Sequence, residues 1–259
     1  MKIYRFRYRK RVLTGVLKEE FLFPVVGSIF GDFTLGGSPV PIGDVRVLAP
    51  VLPSKIIGIG RNYREHAKEL GNPLPEEPLI FLKPPTALIG PLDAIVQPRA
   101  SARVDYEGEV AVVIRKKLRD LADDAPIDDG ILGYSCFNDV TARDLQAKDV
   151  QFTRAKGFDT FAALGPCVAT GLDPAAIRLK TFLNGRLVQS GSTANLIFPI
   201  PYLVRFLSRI MTLNPGDVIA TGTPAGVGPM SPGDRVDVQI EGLGTLSNTF
   251  ARPAEKEDR

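Results

Sequence analysis

Asp105-Tyr106-Glu107-Gly108-Glu109-Val110-Ala111-Val112-Val113-Ile114 decides the reading of this chain. The run from Val110 is apolar and rich in β-branched residues, so Glu107–Arg115 is predicted as a buried strand. Two carboxylates stand at its entrance. Residues i and i+2 of a strand share a face, and Cα atoms two residues apart are about 7 Å from each other. Like charges entering an apolar strand repel each other and lose hydration, so a positive group is expected between them. A divalent cation with oxygen ligands fits that requirement, and Gly108 allows another backbone or a ligand to come close. The competing reading is a solvated strand start with both glutamates facing water.

Working outward, the flanking sequence is broken into short strands. Upstream, Lys55–Ile59 reads as a strand, Arg61–Leu70 as a short helix stopped by Gly71, and Leu79–Leu82 as a strand closed by Pro84-Pro85. Downstream, Ile131–Phe137 leads to Asn138-Asp139, and Thr141–Asp149 reads as a helix capped by its threonine. Leu179–Leu183 and Leu187–Gln189 flank Asn184-Gly185, a strong hairpin signal. Pro201–Met211 places Leu203, Phe206, Leu207 and Ile210 at helical spacing. Strands follow at Val218–Ala220, Val236–Ile240 and Leu246–Phe250. Strands outnumber helices without regular alternation, which argues for an α+β, mostly β body and against a dinucleotide-binding or eight-stranded α/β barrel fold. Residues 1–52 read as a small N-terminal β appendage, with strands at Ile3–Tyr8, Arg11–Leu17, Phe21–Val26 and Val45–Leu48, joined through Pro50–Pro53 to a main domain of residues 53–259.

Composition narrows the chemistry. The 259 residues include one histidine and two cysteines. Three-histidine zinc sites, HExxH sites, two-His-one-carboxylate iron centres and four-cysteine clusters are therefore excluded. A metal would be held by oxygen, which favours Mg, Mn or Ca. The net charge is +3, but Lys2, Arg5, Arg7, Arg9, Lys10 and Arg11 supply the excess, and the rest of the chain is slightly acidic. That is not the spread of basic residues expected for a nucleic-acid groove, so no nucleic-acid partner is expected. No apolar run is long enough to span a bilayer and no secretory leader is evident, so a cytoplasmic protein without a membrane partner is expected, with Cys136 and Cys167 reduced.

Several clusters carry candidate chemistry. His66 and Glu69 lie at i, i+3 on the predicted helix, an arrangement in which a carboxylate fixes the imidazole tautomer of a general base. Arg143 and Gln146 share a helix face and suit a substrate carboxylate and its oxygens. Lys156 stands among apolar residues. Thr221–Gly228 is a glycine-rich loop able to offer N–H groups and hydroxyls to an anion, and neither it nor Gly58–Tyr63 matches a nucleotide-binding glycine motif. Each cluster also has an ordinary structural reading, as a helix cap, a surface His–Glu contact or a plain turn.

Together the motifs GRNYxxH (60–66), FLKP (81–84), DYEGEVAVVI (105–114), NDVTARDLQ (138–146), AKGFDTFAALGP (155–166), LNG (183–185) and GDVIATGTPAGVG (216–228) resemble the fumarylacetoacetate hydrolase family. The appendage resembles that of members described as 2-hydroxyhepta-2,4-diene-1,7-dioate isomerases. The resemblance implies a mixed β-roll or distorted barrel, a homodimer, and Mg²⁺ or Mn²⁺ held by Glu107, Glu109 and Asp139. It further implies a catalytic His66–Glu69 pair on a lid-like segment, with Arg143, Gln146, Lys156 and Thr223 contacting a small 2-oxo acid; His66 and Lys156 are the candidates for catalytic proton delivery. The implied activity is isomerisation of 2-oxo or 2-hydroxy-dienoate dicarboxylates in aromatic catabolism through a Lewis-acid-stabilised enolate. Acylpyruvate or fumarylpyruvate hydrolysis and oxaloacetate decarboxylation are the alternatives in the same site. A non-catalytic binding protein on this fold is the alternative of another class.

Overall fold

A computed structural model describes residues 1–69, 71 and 73–254. The expected helix end at Leu70 and the last five residues of the polar tail lie outside the described residues. Strands dominate, as the sequence indicates. The principal ones are β1 (Lys2–Tyr8), β2 (Arg11–Lys18), β3 (Phe21–Gly27), β4 (Ile56–Gly60), β5 (Leu79–Lys83), β6 (Gly108–Ile114), β7 (Ile131–Asp139), β8 (Ala162–Ala169), β9 (Arg178–Leu183), β10 (Arg186–Ser192), β11 (Val218–Ala220), β12 (Arg235–Ile240) and β13 (Gly244–Ala251). Among the described residues four α-helices accompany them: α1 (Arg64–Glu69), α2 (Arg143–Lys148), α3 (Thr153–Lys156) and α4 (Ile200–Ile210).

The large sheet runs β3-β2-β1-β8-β7-β6-β11-β4-β5, with short strands at its margins. A second sheet of five strands carries β13-β12-β9-β10, and a three-stranded sheet joins Val104–Tyr106 to Thr141–Ala142 and Gly228–Pro229. The mostly β, multi-sheet body expected from the sequence is present, and no sheet of the described residues closes on itself. The sheet runs from Phe33–Leu35, which pairs with β3, to β5, and no pairing among the described residues joins its two ends.

β6 shows why the apolar run folds as it does. Val110, Val112 and Ile114 enter the core packed with Leu179, Val238, Ile240 and Leu246 of the second sheet. Ala111 and Val113 face the opposite core with Ile3, Val16, Phe137 and Val218. A strand buried on both faces needs a continuous apolar sequence rather than an alternating one. In the basic first strand Tyr4 and Phe6 are buried on either side of Arg5, Ile3 is buried as well, and β1 pairs with β8 through Lys2–Ala169 and Ile3–Val168. The Asn184-Gly185 turn between β9 and β10 has φ of 53° and 80°, the left-handed pair that a two-residue hairpin demands.

Two local expectations are corrected. Thr141 does not cap α2. Its backbone pairs with Asp105, its hydroxyl donates to the Asp139 carbonyl, and the helix begins at Arg143 without a side-chain cap. A β-branched residue next to a free edge strand extends the sheet more readily than it starts a helix. In α4 the buried stripe is Ile200, Leu203, Val204 and Leu207, whereas Ile210 is exposed. The stripe is rotated because Ile200, one residue before the predicted start, is its first buried position.

Candidate active site

The antiparallel pairing of β6 with β7 brings the three carboxylates together. Gly108 stands opposite Asn138. The Asp139 amide donates to the Glu107 carbonyl (2.8 Å), and the Glu107 amide donates to Asn138 Oδ1 (2.9 Å). Glu107 lies in the break between the strands Val104–Tyr106 and β6, one residue outside the strand predicted to contain it. Glu107 and Glu109 are 5% and 2% exposed, which rules out the solvated strand start. One carboxylate oxygen from each of Glu107, Glu109 and Asp139 lies within 4.8 Å of the others. Adjacent ligands of an octahedral Mg²⁺ are about 3.0 Å apart and opposed ones about 4.2 Å, so this all-oxygen set suits a hard divalent cation once the carboxylates draw inward.

Gly108 is required at the centre. A Cβ there would lie 2.0 Å from Thr181 Oγ1 and 3.2 Å from Gln189 Oε1. Gln189, itself buried, accepts from the Gly108 amide (2.9 Å) and donates to Thr223 Oγ1 (2.8 Å) and the Pro224 carbonyl (2.9 Å). Thr223 in turn donates to the Gly108 carbonyl (2.9 Å). The carboxylate-bearing turn and the Thr221–Gly228 loop are thereby fixed to each other. The loop also donates from Gly222 N to Glu109 (2.8 Å) and from Gly226 N to Glu69 (3.0 Å).

Cations surround the triad. Lys156 Nζ donates to Glu107 (2.8 Å) and Asp139 (2.5 Å), and packs 4.9 Å from the Phe81 ring centre. Lys83, fully buried at the end of β5, donates to Asp139 (2.5 Å) and the Val140 carbonyl (3.1 Å). Arg143 donates to Asp105 (2.9 Å), Glu107 (2.5 Å) and Gln146 Oε1 (2.5 Å). Burial disfavours the charged form of Glu107, but Lys156 and Arg143 outweigh it and hold its carboxyl well below the usual range. Glu109 has no such partners, and burial beside Asp139 and Glu107 pushes it well above that range. Burial lowers Lys83 to about 8 even with Asp139 beside it. Burial also opposes the charge on Lys156, but Asp139 and Glu107 prevail and raise it.

His66 is buried on α1, with Nδ1 3.2 Å from Glu69 Oε2. Its other ring nitrogen is thus left to exchange protons. A cavity of about 260 Å³ is lined by Arg61, His66, Phe81, Glu107, Glu109, Asp139, Arg143, Gln146, Phe152, Lys156 and Thr223 among others. It falls just under the ~300–1,000 Å³ of common ligand pockets, a size for a small molecule. The structure therefore gathers every candidate residue from the sequence, with Glu69 reached through His66. Arg143 is occupied by the protein's own carboxylates, and the Thr223 hydroxyl proton by Gly108. Sequence reasoning missed Lys83, Asp105, Gln189 and Arg61. A lysine ending the apolar strand before Pro84-Pro85 was a visible signal for Lys83, whereas Gln189 carried none.

Comparison with known proteins gives the family. The family described as fumarylacetoacetate (FAA) hydrolase C-terminal matches residues 55–251, and an Rv2993c-like N-terminal domain matches residues 1–50. The chain belongs to the fumarylacetoacetate hydrolase family and is an enzyme of that family. It is 57% identical over 216 residues to an uncharacterized protein of Archaeoglobus fulgidus, covering 83% of this chain and 86% of the relative. It is 42% identical over 230 residues to oxaloacetate tautomerase YisK of Bacillus subtilis, covering 83% and 76%. The crystal structure of 2-hydroxyhepta-2,4-diene-1,7-dioate isomerase from Mycobacterium marinum superposes with a TM-score of 0.91 at 40% identity, covering 98% of this chain and 100% of that one. No helix among the described residues is long and apolar enough to cross a membrane.

Proposed function

We propose that this chain is an isomerase of small 2-oxo or 2-hydroxy-dienoate dicarboxylates, moving a proton between oxygen and carbon of the 2-oxo acid unit and depending on Mg²⁺ or Mn²⁺. The observation that carries the reading is one small cavity in which a buried triad of carboxylates faces two separate proton carriers, His66 and Lys156. Glu107, Glu109 and Asp139 would hold the cation. When bound, it supplies a Lewis acid that offsets negative charge developing on the 2-oxo oxygen. The remaining work belongs to side chains of the chain itself. Glu69, held by the Gly226 amide, orients His66 so that its free nitrogen accepts or returns the carbon-bound proton. Lys156 keeps an ammonium proton beside Glu107 and Asp139, where it can be delivered to the substrate. Gln146 accepts from Arg143 through Oε1 and so presents its amide N–H groups to a substrate oxygen.

The tautomerase of Bacillus subtilis and the isomerase of Mycobacterium marinum support a reaction without hydrolysis. A second reading, C–C hydrolysis of acylpyruvates, is favoured by the His66–Glu69 pair, since a carboxylate-oriented imidazole can also activate water. The test is an ultraviolet assay over oxaloacetate, acylpyruvates and diene dioates, with Mg²⁺ and with chelator. Enol–keto conversion of the diacids that chelator abolishes is the expected result. Cleavage of acylpyruvates at a comparable rate would favour the hydrolase, and no turnover of any 2-oxo acid would reject both. Light scattering tests the homodimer, which we also propose.

A further inference from the structure

Arg61 is a charge on the cavity wall that the proton-transferring groups do not use. The other cations around the triad are all occupied: Lys83 by Asp139, Lys156 by Glu107 and Asp139, and Arg143 by Asp105 and Glu107. Arg61 lines the same cavity, and no carboxylate of the described residues pairs with it. Its backbone is also unusual. Its φ is +57°, a conformation that a side chain with a Cβ adopts when its surroundings impose it.

The surroundings do impose it. Asn62, wholly buried, donates to the carbonyls of Phe198 (3.1 Å) and Thr221 (2.8 Å) and accepts from the Phe198 amide (2.8 Å). Its own carbonyl accepts from Ile197 (2.8 Å). On the other side Gly60 is the last residue of β4, paired with Leu79. Arg61 is thus held between a sheet edge and a four-bond anchor. A solvated surface arginine needs no such support, whereas one that must present a fixed fork to a ligand does.

We propose that Arg61 is a specificity-determining residue that binds the second carboxylate of a dicarboxylate substrate. The proposal rests on the reading above, in which the 2-oxo acid head of the substrate sits at Glu107, Glu109 and Asp139. The guanidinium fork matches a carboxylate in a bidentate manner and cannot lose its charge. A substrate with an apolar tail would leave that cation without a partner in a confined cavity, which selects against such a substrate.

The test is calorimetric binding to the Mg²⁺-loaded protein with three probes: oxalate, 2-oxoglutarate and 2-oxopentanoate. They present a chelating head alone, a head with a distal carboxylate, and a head of equal chain length with an apolar tail. The native protein is expected to prefer 2-oxoglutarate over 2-oxopentanoate by about 10- to 100-fold, the range of one charge-assisted bidentate contact. Arg61→Met should remove that preference while leaving oxalate affinity and the Mg²⁺-induced rise in melting temperature unchanged. Arg61→Lys should keep part of it. Retained preference in Arg61→Met, or an equal loss for all three probes, overturns the proposal. Native protein that binds oxalate and both 2-oxo acids alike overturns it while sparing the 2-oxo acid reading. Native protein that binds none of the three overturns both.

Discussion

Lys156→Met tests the electrostatics of the triad. Methionine keeps the length and apolar stem of the side chain and deletes the charge. In the native protein Lys156 is 3% exposed and donates to Glu107 at 2.8 Å and Asp139 at 2.5 Å. Its loss leaves Lys83 as the cation on Asp139 and Arg143 as the cation on Glu107, while Glu109 remains uncompensated. Removing one partner of a buried ion pair costs about 3–5 kcal/mol, because the abandoned charge stays buried. For a chain of this size each kcal/mol shifts the melting temperature by roughly 2–4 °C. The variant stripped with EDTA should therefore melt about 6–20 °C below the native protein treated the same way. Mg²⁺ should raise its melting temperature by more than it raises that of the native protein, since a divalent cation among the three carboxylates replaces the missing positive charge. Thermal scans of both proteins in EDTA and in saturating Mg²⁺ give the four numbers needed. Equal melting temperatures in EDTA would refute the pairing, and equal increments with Mg²⁺ would refute the triad as the cation site.

Three further outcomes are expected. Glu107→Ala should abolish both metal-dependent turnover and Mg²⁺-induced stabilisation; near-native activity with intact metal dependence would sink the ligand assignment. His66→Ala should lower enol–keto conversion by about 10²- to 10⁴-fold, and hydrolysis of an acylpyruvate at least as much; near-native tautomerisation would take the carbon-bound proton away from His66. Asp144→Asn tests the platform beneath Arg143. Asp144 accepts from Ser101 Oγ (2.6 Å) and the Ala102 amide (3.0 Å), and these bonds outweigh its slight burial and hold its carboxyl below the usual value. A depressed folded-state value stabilises the protein above the unfolded value near pH ~4, and that stabilisation is lost as pH falls through the folded value. The variant should therefore be less stable by about 0.5–1 kcal/mol at pH 7, allowing for solvent screening, and the difference should shrink towards pH 3. A difference in urea unfolding that is the same at both pH values would remove the linkage.

Much of this site was legible in the sequence because the residues that define it are locally encoded. Glu107 and Glu109 sit on one short stretch, His66 and Glu69 on one helical turn, and Arg143 and Gln146 on another. The single histidine made the reading sharper, since it left oxygen as the only plausible metal donor and one imidazole as the candidate base. What the sequence did not show depends on contacts between distant strands. Asp139 meets Glu107 only because Gly108 registers with Asn138. Lys83 reaches Asp139 from the far side of the sheet, 56 residues away in sequence. Gln189 fixes Gly108 across 81 residues and looks like any exposed hairpin glutamine in the sequence. The misplaced threonine cap has the same origin, because a residue that favours a cap locally was drawn into a bridge with Asp105.

The pairing pattern also separates chemistry from selectivity in a way that residue types alone do not. Arg143 and Lys156 first read as groups waiting for a substrate, yet both are held by the protein's own carboxylates. A cation with two internal carboxylate partners gains little by turning to a third, since the first two would be left buried and unpaired. Such a cation sets the charge on the triad, and Lys156 can still pass a proton from that position without binding the substrate's distal end. Recognition of a substrate's distal end must then fall to cavity groups with unused hydrogen-bonding capacity, which among the described residues, apart from the His66 nitrogen assigned to proton transfer, include the Gln146 amide and the Arg61 guanidinium. Of these only Arg61 carries charge. Exchanging residues at that part of the wall should therefore change which acid is accepted while leaving the proton-transfer groups and their pairing intact.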